Sequence, residues 1–150
     1  LSRSSRQPDR AITGYVTRLP ETVDVSQTPD LLPTLALLAA VRPQTTRFTG
    51  GTVLRRKESD RLHAVAAVLA ALGTAVQELP DGLLIRGGTP LRGGVTLDAF
   101  GDHRIAMLCA CAALLCDGPV LLRGGDHVSK SYEDFWRDYT LLGGKVEVFD

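Results

Sequence analysis

The chain is 150 residues long, 44% hydrophobic and 23% charged, and its 17 basic and 17 acidic residues give a formal net charge of zero. That is enough apolar material to bury a core as one compact domain. Nucleic-acid-binding modules carry a basic excess, which is missing here. An anion must therefore be met by a local cluster of cations, which favours a small, highly charged ligand over a polymer. The longest apolar run, Ile105 to Cys116, has twelve residues, fitting a buried helix and falling short of a membrane span.

The first residues, Leu1 to Pro8, have no apolar stretch and do not read as a signal peptide. The absence of an initial Met leads us to expect a piece of something longer. Residues 1–9, rich in Ser and Arg, are expected to be a linker. Next come expected strands at Ala11 to Val16 and Thr22 to Gln27, then a helix from Pro29 to Ala40. In that helix Asp30 is a natural cap and Pro33 falls in the first turn. Thr45 to Thr49 reads as a strand. A helix from Glu58 to Leu72 follows, with Leu62, Val65, Leu69 and Leu72 at helical spacing and Gly73 closing it. Strands at Ala75 to Leu79 and Leu83 to Arg86 flank Pro80-Asp81-Gly82, a hairpin turn.

The pattern then restarts. Val95 to Ala99 is an expected strand, Asp102 to Cys116 a helix apolar nearly all round, and Val120 to Arg123 a strand. Ser131 to Leu142 reads as a helix and Lys145 to Phe149 as a strand. The result is an α/β chain with a repeated β-α-β-α-β-β unit of roughly seventy residues, too long and too few in copies for a solenoid. Residues 10–150 are expected to be part of one domain holding two units, at about 22–86 and 94–150, with helices buried against sheets. Cys109, Cys111 and Cys116 are odd in number and lie in one apolar segment, unlike a disulfide framework or a zinc site. They read as buried small hydrophobes of a reducing, cytoplasmic protein.

Three charged segments stand at expected helix starts: Lys57-Glu-Ser-Asp-Arg61, Gly101-Asp-His-Arg104 and Val128-Ser-Lys130. Free N–H groups and the positive end of the helix dipole favour anions there, and Arg61, Arg104 and Lys130 would strengthen the field. Guanidinium forks suit phosphate and carboxylate oxygens. Glu58 and Arg61, three apart, would share a helix face. Taken singly, each segment also has an ordinary structural reading. Lys57 to Arg61 could be a solvated helix start, Asp30 and Asp102 plain caps, and His103 a hydrogen-bonded structural histidine. His63 and His127 carry no signal above background.

The conjunction is more specific. Asp24-Val-Ser-Gln-Thr-Pro-Asp-Leu-Leu-Pro33, Leu54-Arg-Arg-Lys-Glu-Ser-Asp-Arg-Leu62, Gly101-Asp-His-Arg-Ile-Ala-Met107 and Ser129-Lys-Ser-Tyr132 occur in this order. Their order and spacing resemble the C-terminal part of the 5-enolpyruvylshikimate-3-phosphate synthase family, from about Asp24 to the end. The resemblance implies transfer of the enolpyruvyl group of phosphoenolpyruvate to the 5-hydroxyl of shikimate 3-phosphate, with release of phosphate and no metal or organic cofactor. It implies an enolpyruvyl transferase-like fold of two domains, each with three such units, and substrates in the cleft between them. The present chain would hold an incomplete domain.

By the same resemblance Asp30 would be the general base at the shikimate hydroxyl, with Lys57 on that substrate. Glu58 would protonate the methylene carbon, or share that task with Lys130, while Arg61, Arg104 and Lys130 would hold phosphoenolpyruvate. Val53 departs from the polar residue usual four positions before the motif lysine, and Glu133 from the usual Pro. The family's remaining substrate contacts lie upstream, so the missing N-terminal portion is the expected partner, and the isolated chain is expected to be inactive. Two other readings stay open: the related transferase acting on UDP-N-acetylglucosamine, and a non-catalytic folding or binding module.

Overall fold

A computed structural model describes residues 6–149. Of the expected linker, residues 1–5 lie outside the described range, and Pro8–Ala11 forms a 3-10 turn leading into α1 (Ile12–Thr17). Residues 11–16, expected as a strand, are therefore helical. Ile12 and Tyr15, three apart, both pack against the core, a helical spacing that outweighs the β-branched composition.

The first unit follows the β-α-β-α-β-β order. β1 (Thr22–Asp24) leads through a 3-10 turn at Pro29–Leu31 to α2 (Leu32–Val41), and β2 (Thr45–Thr49) runs parallel to β1. α2 is a central helix. Leu32, Pro33, Leu35, Ala36, Leu37, Ala39 and Ala40 are all buried, as an element apolar on every side must be. After a second 3-10 turn at Thr52–Arg56 comes α3 (Arg61–Ala71), then the hairpin of β3 (Ala75–Leu79) and β4 (Gly82–Arg86). The sheet order is β1-β2-β4-β3, with β4 antiparallel to both neighbours. Gly82 is required by close approach, because a Cβ there would run into the Phe48 carbonyl of β2.

In the second unit β5 (Val95–Asp98) and β6 (Val120–Arg123) form a parallel two-stranded sheet joined through α4 (His103–Ala113). A 3-10 turn at Gly125–Lys130 then precedes α5 (Phe135–Leu141). Residues 145–149, expected as a strand, are irregular and have no ladder partner among the described residues. The main core joins Leu35, Phe48, Leu62, Leu69, Ile85 and Ile105, so α2, α3 and α4 pack together beneath the strands. The expectation of buried cysteines holds for Cys109; Cys116 is half-buried and Cys111 exposed. Among the described residues no helix is long and apolar enough to cross a membrane.

Candidate functional site

The helix starts differ from the sequence expectation in ways that shape the site. α3 begins at Arg61, capped by Asp60, whose carboxylate accepts from the His63 N–H at 3.1 Å. Glu58 therefore precedes the helix and shares no helical face with Arg61. Asp30 sits in the 3-10 turn before α2 and makes no capping bond. Its carboxylate turns outward and gathers cations instead. Lys130 closes a 3-10 turn and does not open a helix.

Arg61 is buried, with its side chain 2% exposed, and its fork grips the fully buried Asp102. Nε donates to Oδ2 at 2.9 Å and Nη2 to Oδ1 at 3.1 Å. Ser59 Oγ donates to the same carboxylate at 3.0 Å, and so does the Arg104 backbone N–H at 2.9 Å, which makes Asp102 the cap of α4. Burial pushes the Asp102 carboxyl up, but the Arg61 hydrogen bonds, the capping N–H, the guanidinium charge and Ser59 together outweigh it. The net result lies below the ordinary carboxylate value. Asp102 reaches this position through a tight turn in which Phe100 and Gly101 both take left-handed backbone, with φ of 51° and 68°.

From this anchor the cluster extends outward. Arg61 Nη1 donates to Asp30 Oδ1 at 2.8 Å, and Arg104 Nη2 donates to Asp30 Oδ2 at 3.1 Å. Lys57 Nζ lies 3.7 Å from Asp30 Oδ1. One half-exposed carboxylate thus joins three cations, two from the Lys57–Arg61 segment and one from the start of α4. Glu58 is held by His103, whose Nδ1 lies 3.0 Å from its carboxylate. Lys130 Nζ donates to the Gly101 carbonyl at 3.3 Å, beside the turn that carries Asp102. Asp30, Lys57, Arg61 and Arg104 are directly linked; Glu58 and Lys130 join only through the residues around Asp102. Beneath them, between α2 and α4, lies a pocket of ≈ 100 Å³ bordered by Asp30, Thr34, Arg104 and Met107. This is small against the several hundred Å³ of ordinary ligand sites.

Glu58, Asp102 and His103 come close enough for their ligand atoms to face one metal ion. A cation there would have to displace the Arg61 fork from Asp102, so the trio is better described as a hydrogen-bonded brace. The sequence reading missed two things: Asp102 as the partner of Arg61, and the pairing of His103 with Glu58. Each partner lies in a motif string, but contacts across such separations leave no periodic signal along the chain.

Repeated α/β units that bring a carboxylate and several cations together at one end define the class: an α/β domain with a cation-rich face. The chain belongs to the EPSP synthase family, whose model (EPSP synthase, 3-phosphoshikimate 1-carboxyvinyltransferase) matches residues 5–139. Curated relatives named 3-phosphoshikimate 1-carboxyvinyltransferase include that of Clostridium novyi, 46% identical over 126 residues, covering 84% of this chain and 29% of the relative. That of Clostridium acetobutylicum is 49% identical over 124 residues, covering 83% and 29%. Among solved structures, EPSP synthase from Acinetobacter baumannii superposes with a TM-score of 0.72 at 32% identity, covering 80% of this chain and 28% of that one. The enolpyruvyl transferase NikO from Streptomyces tendae gives 0.71 at 25% identity, covering 85% and 29%. The chain therefore spans less than a third of the relatives it matches.

Proposed function

We propose that this chain supplies one wall of the active site of an enzyme that transfers the enolpyruvyl group of phosphoenolpyruvate to the 5-hydroxyl of shikimate 3-phosphate, releasing phosphate. The observation that carries this reading is the convergence of Lys57, Arg61 and Arg104 on Asp30. Both substrates are small polyanions, and a cluster whose cations are already oriented loses little reorganisation when an anion arrives.

In the reaction the substrate hydroxyl adds to the central carbon of phosphoenolpyruvate while the methylene carbon takes a proton. The carbon–oxygen bond to phosphate then breaks, and the proton leaves to restore the double bond. A base is needed at the hydroxyl and a proton donor at the methylene. Asp30 takes the first role and Glu58 or Lys130 the second. Lys57 contacts shikimate 3-phosphate; Arg104 and Lys130 bind the phosphate and carboxylate of phosphoenolpyruvate. Arg61 acts from beneath, its charge reaching the ligand through the Asp30 edge of the cluster. No electron is transferred, so the chemistry balances without a redox cofactor.

In the whole enzyme, Arg104→Ala removes a charge-assisted contact of about 1.5–3 kcal/mol and should raise KM for phosphoenolpyruvate roughly ten- to hundredfold. Steady-state assay of phosphate release checks this, and an unchanged KM would remove Arg104 from the site. The remaining wall belongs to the rest of the polypeptide, and the purified 150-residue chain should give no phosphate release above background, because one wall cannot hold two substrates in register. Measurable turnover by the chain alone would refute the shared-site reading.

A further inference from the structure

Lys57 and Glu58 stand on an irregular segment. Residues 57–59 belong to no helix or strand and lie between the 3-10 turn at Thr52–Arg56 and α3. Their side chains reach into the site, Lys57 toward Asp30, Glu58 to His103 and Ser59 to Asp102. Lys57 and Glu58 must give up part of those contacts to meet a substrate. Something else has to keep the segment in place when they do.

Arg55, two residues before Lys57, reaches instead to the β3–β4 hairpin. Its Nε donates to the Pro80 carbonyl at 2.9 Å and its Nη2 to the Leu79 carbonyl at 2.6 Å. Nη1 donates to Glu78 Oε1 of β3 at 2.7 Å and to Asp60 Oδ2 at 2.9 Å. The other oxygen of Asp60 accepts from the His63 N–H and caps α3. Arg55 therefore closes residues 55–60 into a ring and ties that ring to the hairpin. The hairpin is fixed in turn, since β4 pairs with β2 and the Asp81 carbonyl accepts from the Gly51 N–H at 2.7 Å. A lone surface ion pair holds little. A planar fork shared between two backbone carbonyls and two carboxylates holds one orientation.

We propose that Arg55 is a positioning residue for the transfer reaction, which clips the 55–60 loop to the β3–β4 hairpin and so holds the Lys57 ammonium and the Glu58 carboxylate in register. The inference rests on the roles proposed above for those two residues. Lys57 lies two residues from one end of the ring and Glu58 two from the other, so a slack ring moves both. Arg104 on α4 and Lys130 in the Gly125–Lys130 turn stand on other elements and keep their places. A misplacement of about 1 Å in a reacting group costs on the order of a hundredfold in rate.

The test compares the whole enzyme with its Arg55→Gln, Arg55→Lys and Glu78→Ala variants. Arg55→Gln should raise KM for shikimate 3-phosphate about tenfold through Lys57 and lower kcat about tenfold through Glu58, with KM for phosphoenolpyruvate held within about twofold. Arg55→Lys keeps the charge but cannot span all four acceptors, so it should show a weaker form of the same split. It also decides the matter where Arg55→Gln fails to fold. Glu78→Ala leaves Arg55 its bonds to Asp60 and both carbonyls, and should lower Tm without moving either KM. Lowered Tm with unchanged kinetics in all three variants would overturn the proposal, since Arg55 would then only stabilise. Brief trypsin treatment reads the loop without turnover. Cleavage after Lys57 should speed about tenfold in Arg55→Gln, while cleavage after Arg86 of β4 stays unchanged. Equal cleavage after Lys57 in variant and parent would also overturn the clip. Faster cleavage in the variant, with no phosphate release from the parent enzyme, would instead refute the proposed function and leave the clip standing.

Discussion

Removing a guanidinium from water costs several kcal/mol unless its hydrogen bonds are met, and Arg61 is met by Asp102 through Nε and Nη2 and by Asp30 through Nη1. Replacing Asp102 by Ala should therefore destabilise the chain by about 3–5 kcal/mol, because it takes from a buried guanidinium its only buried carboxylate and two of its three bonds, leaving Asp30 alone. The double replacement Asp102→Ala with Arg61→Met should cost less than Asp102→Ala alone. Urea denaturation followed by circular dichroism compares them, and additive losses would mean that the pair is not coupled. The lowered Asp102 pKa also sets a pH dependence. The folded state favours the charged carboxyl, so its contribution is whole above the ordinary value of 3.8 and disappears as pH falls through the lower folded value. The urea midpoint should decline on acidification below about pH 4 and do so less steeply in Asp102→Asn. An equal slope in the two proteins would assign acid sensitivity elsewhere. The residues concerned were legible in the sequence as motif strings, since charge, spacing and helix-start position are local. Which carboxylate serves which guanidinium was not, because Arg61 and Asp102 meet only through the packing of α3 against α4.

At the scale of elements, the strands of the first unit and the central helices followed from periodicity. The errors share a cause, which is that pattern without partners is ambiguous. Ala11 to Val16 has strand-like composition yet packs as a helix through Ile12 and Tyr15. Residues 145–149 alternate correctly for a strand, yet no neighbour completes a ladder among the described residues. The late start of α3 reflects competition at its N-terminus, where Asp60 supplies the cap and Glu58 is drawn away to His103. Asp60→Ala should thus cost about 1 kcal/mol through the lost cap, with any further loss coming from its ion pair to Arg55 at 2.9 Å. Gly82→Ala should cost more, roughly 1–3 kcal/mol, because the added methyl forces β4 away from the Phe48 carbonyl. Thermal unfolding of the two variants orders them, and a neutral Gly82→Ala would mean that the hairpin can slide.

Over the whole molecule the two units are unequally supported. Among the described residues the first has four strands over its helices and the second two, so local opening should be easier in the second. Native-state hydrogen exchange should find Phe48, Leu83 and Ile85 exchanging only through global unfolding and Leu121 and Leu122 through smaller openings. Uniform protection would instead show one cooperative block. α4 carries its own means of timing such openings. Cys111 is exposed, whereas Cys109, two residues along on the opposite face, is buried, with its thiol pushed up to about 12 mainly by that burial. A thiolate is the species that alkylating reagents attack; burial raises the Cys111 thiol as well, but its exposure to solvent lets it be blocked first under native conditions. The later rate of Cys109 labelling then measures how often α4 lifts from its sheet. The unmutated sequence thus supplies a sacrificial thiol and a sentinel thiol on a single helix, and the second unit's breathing can be followed by mass spectrometry without any engineered probe.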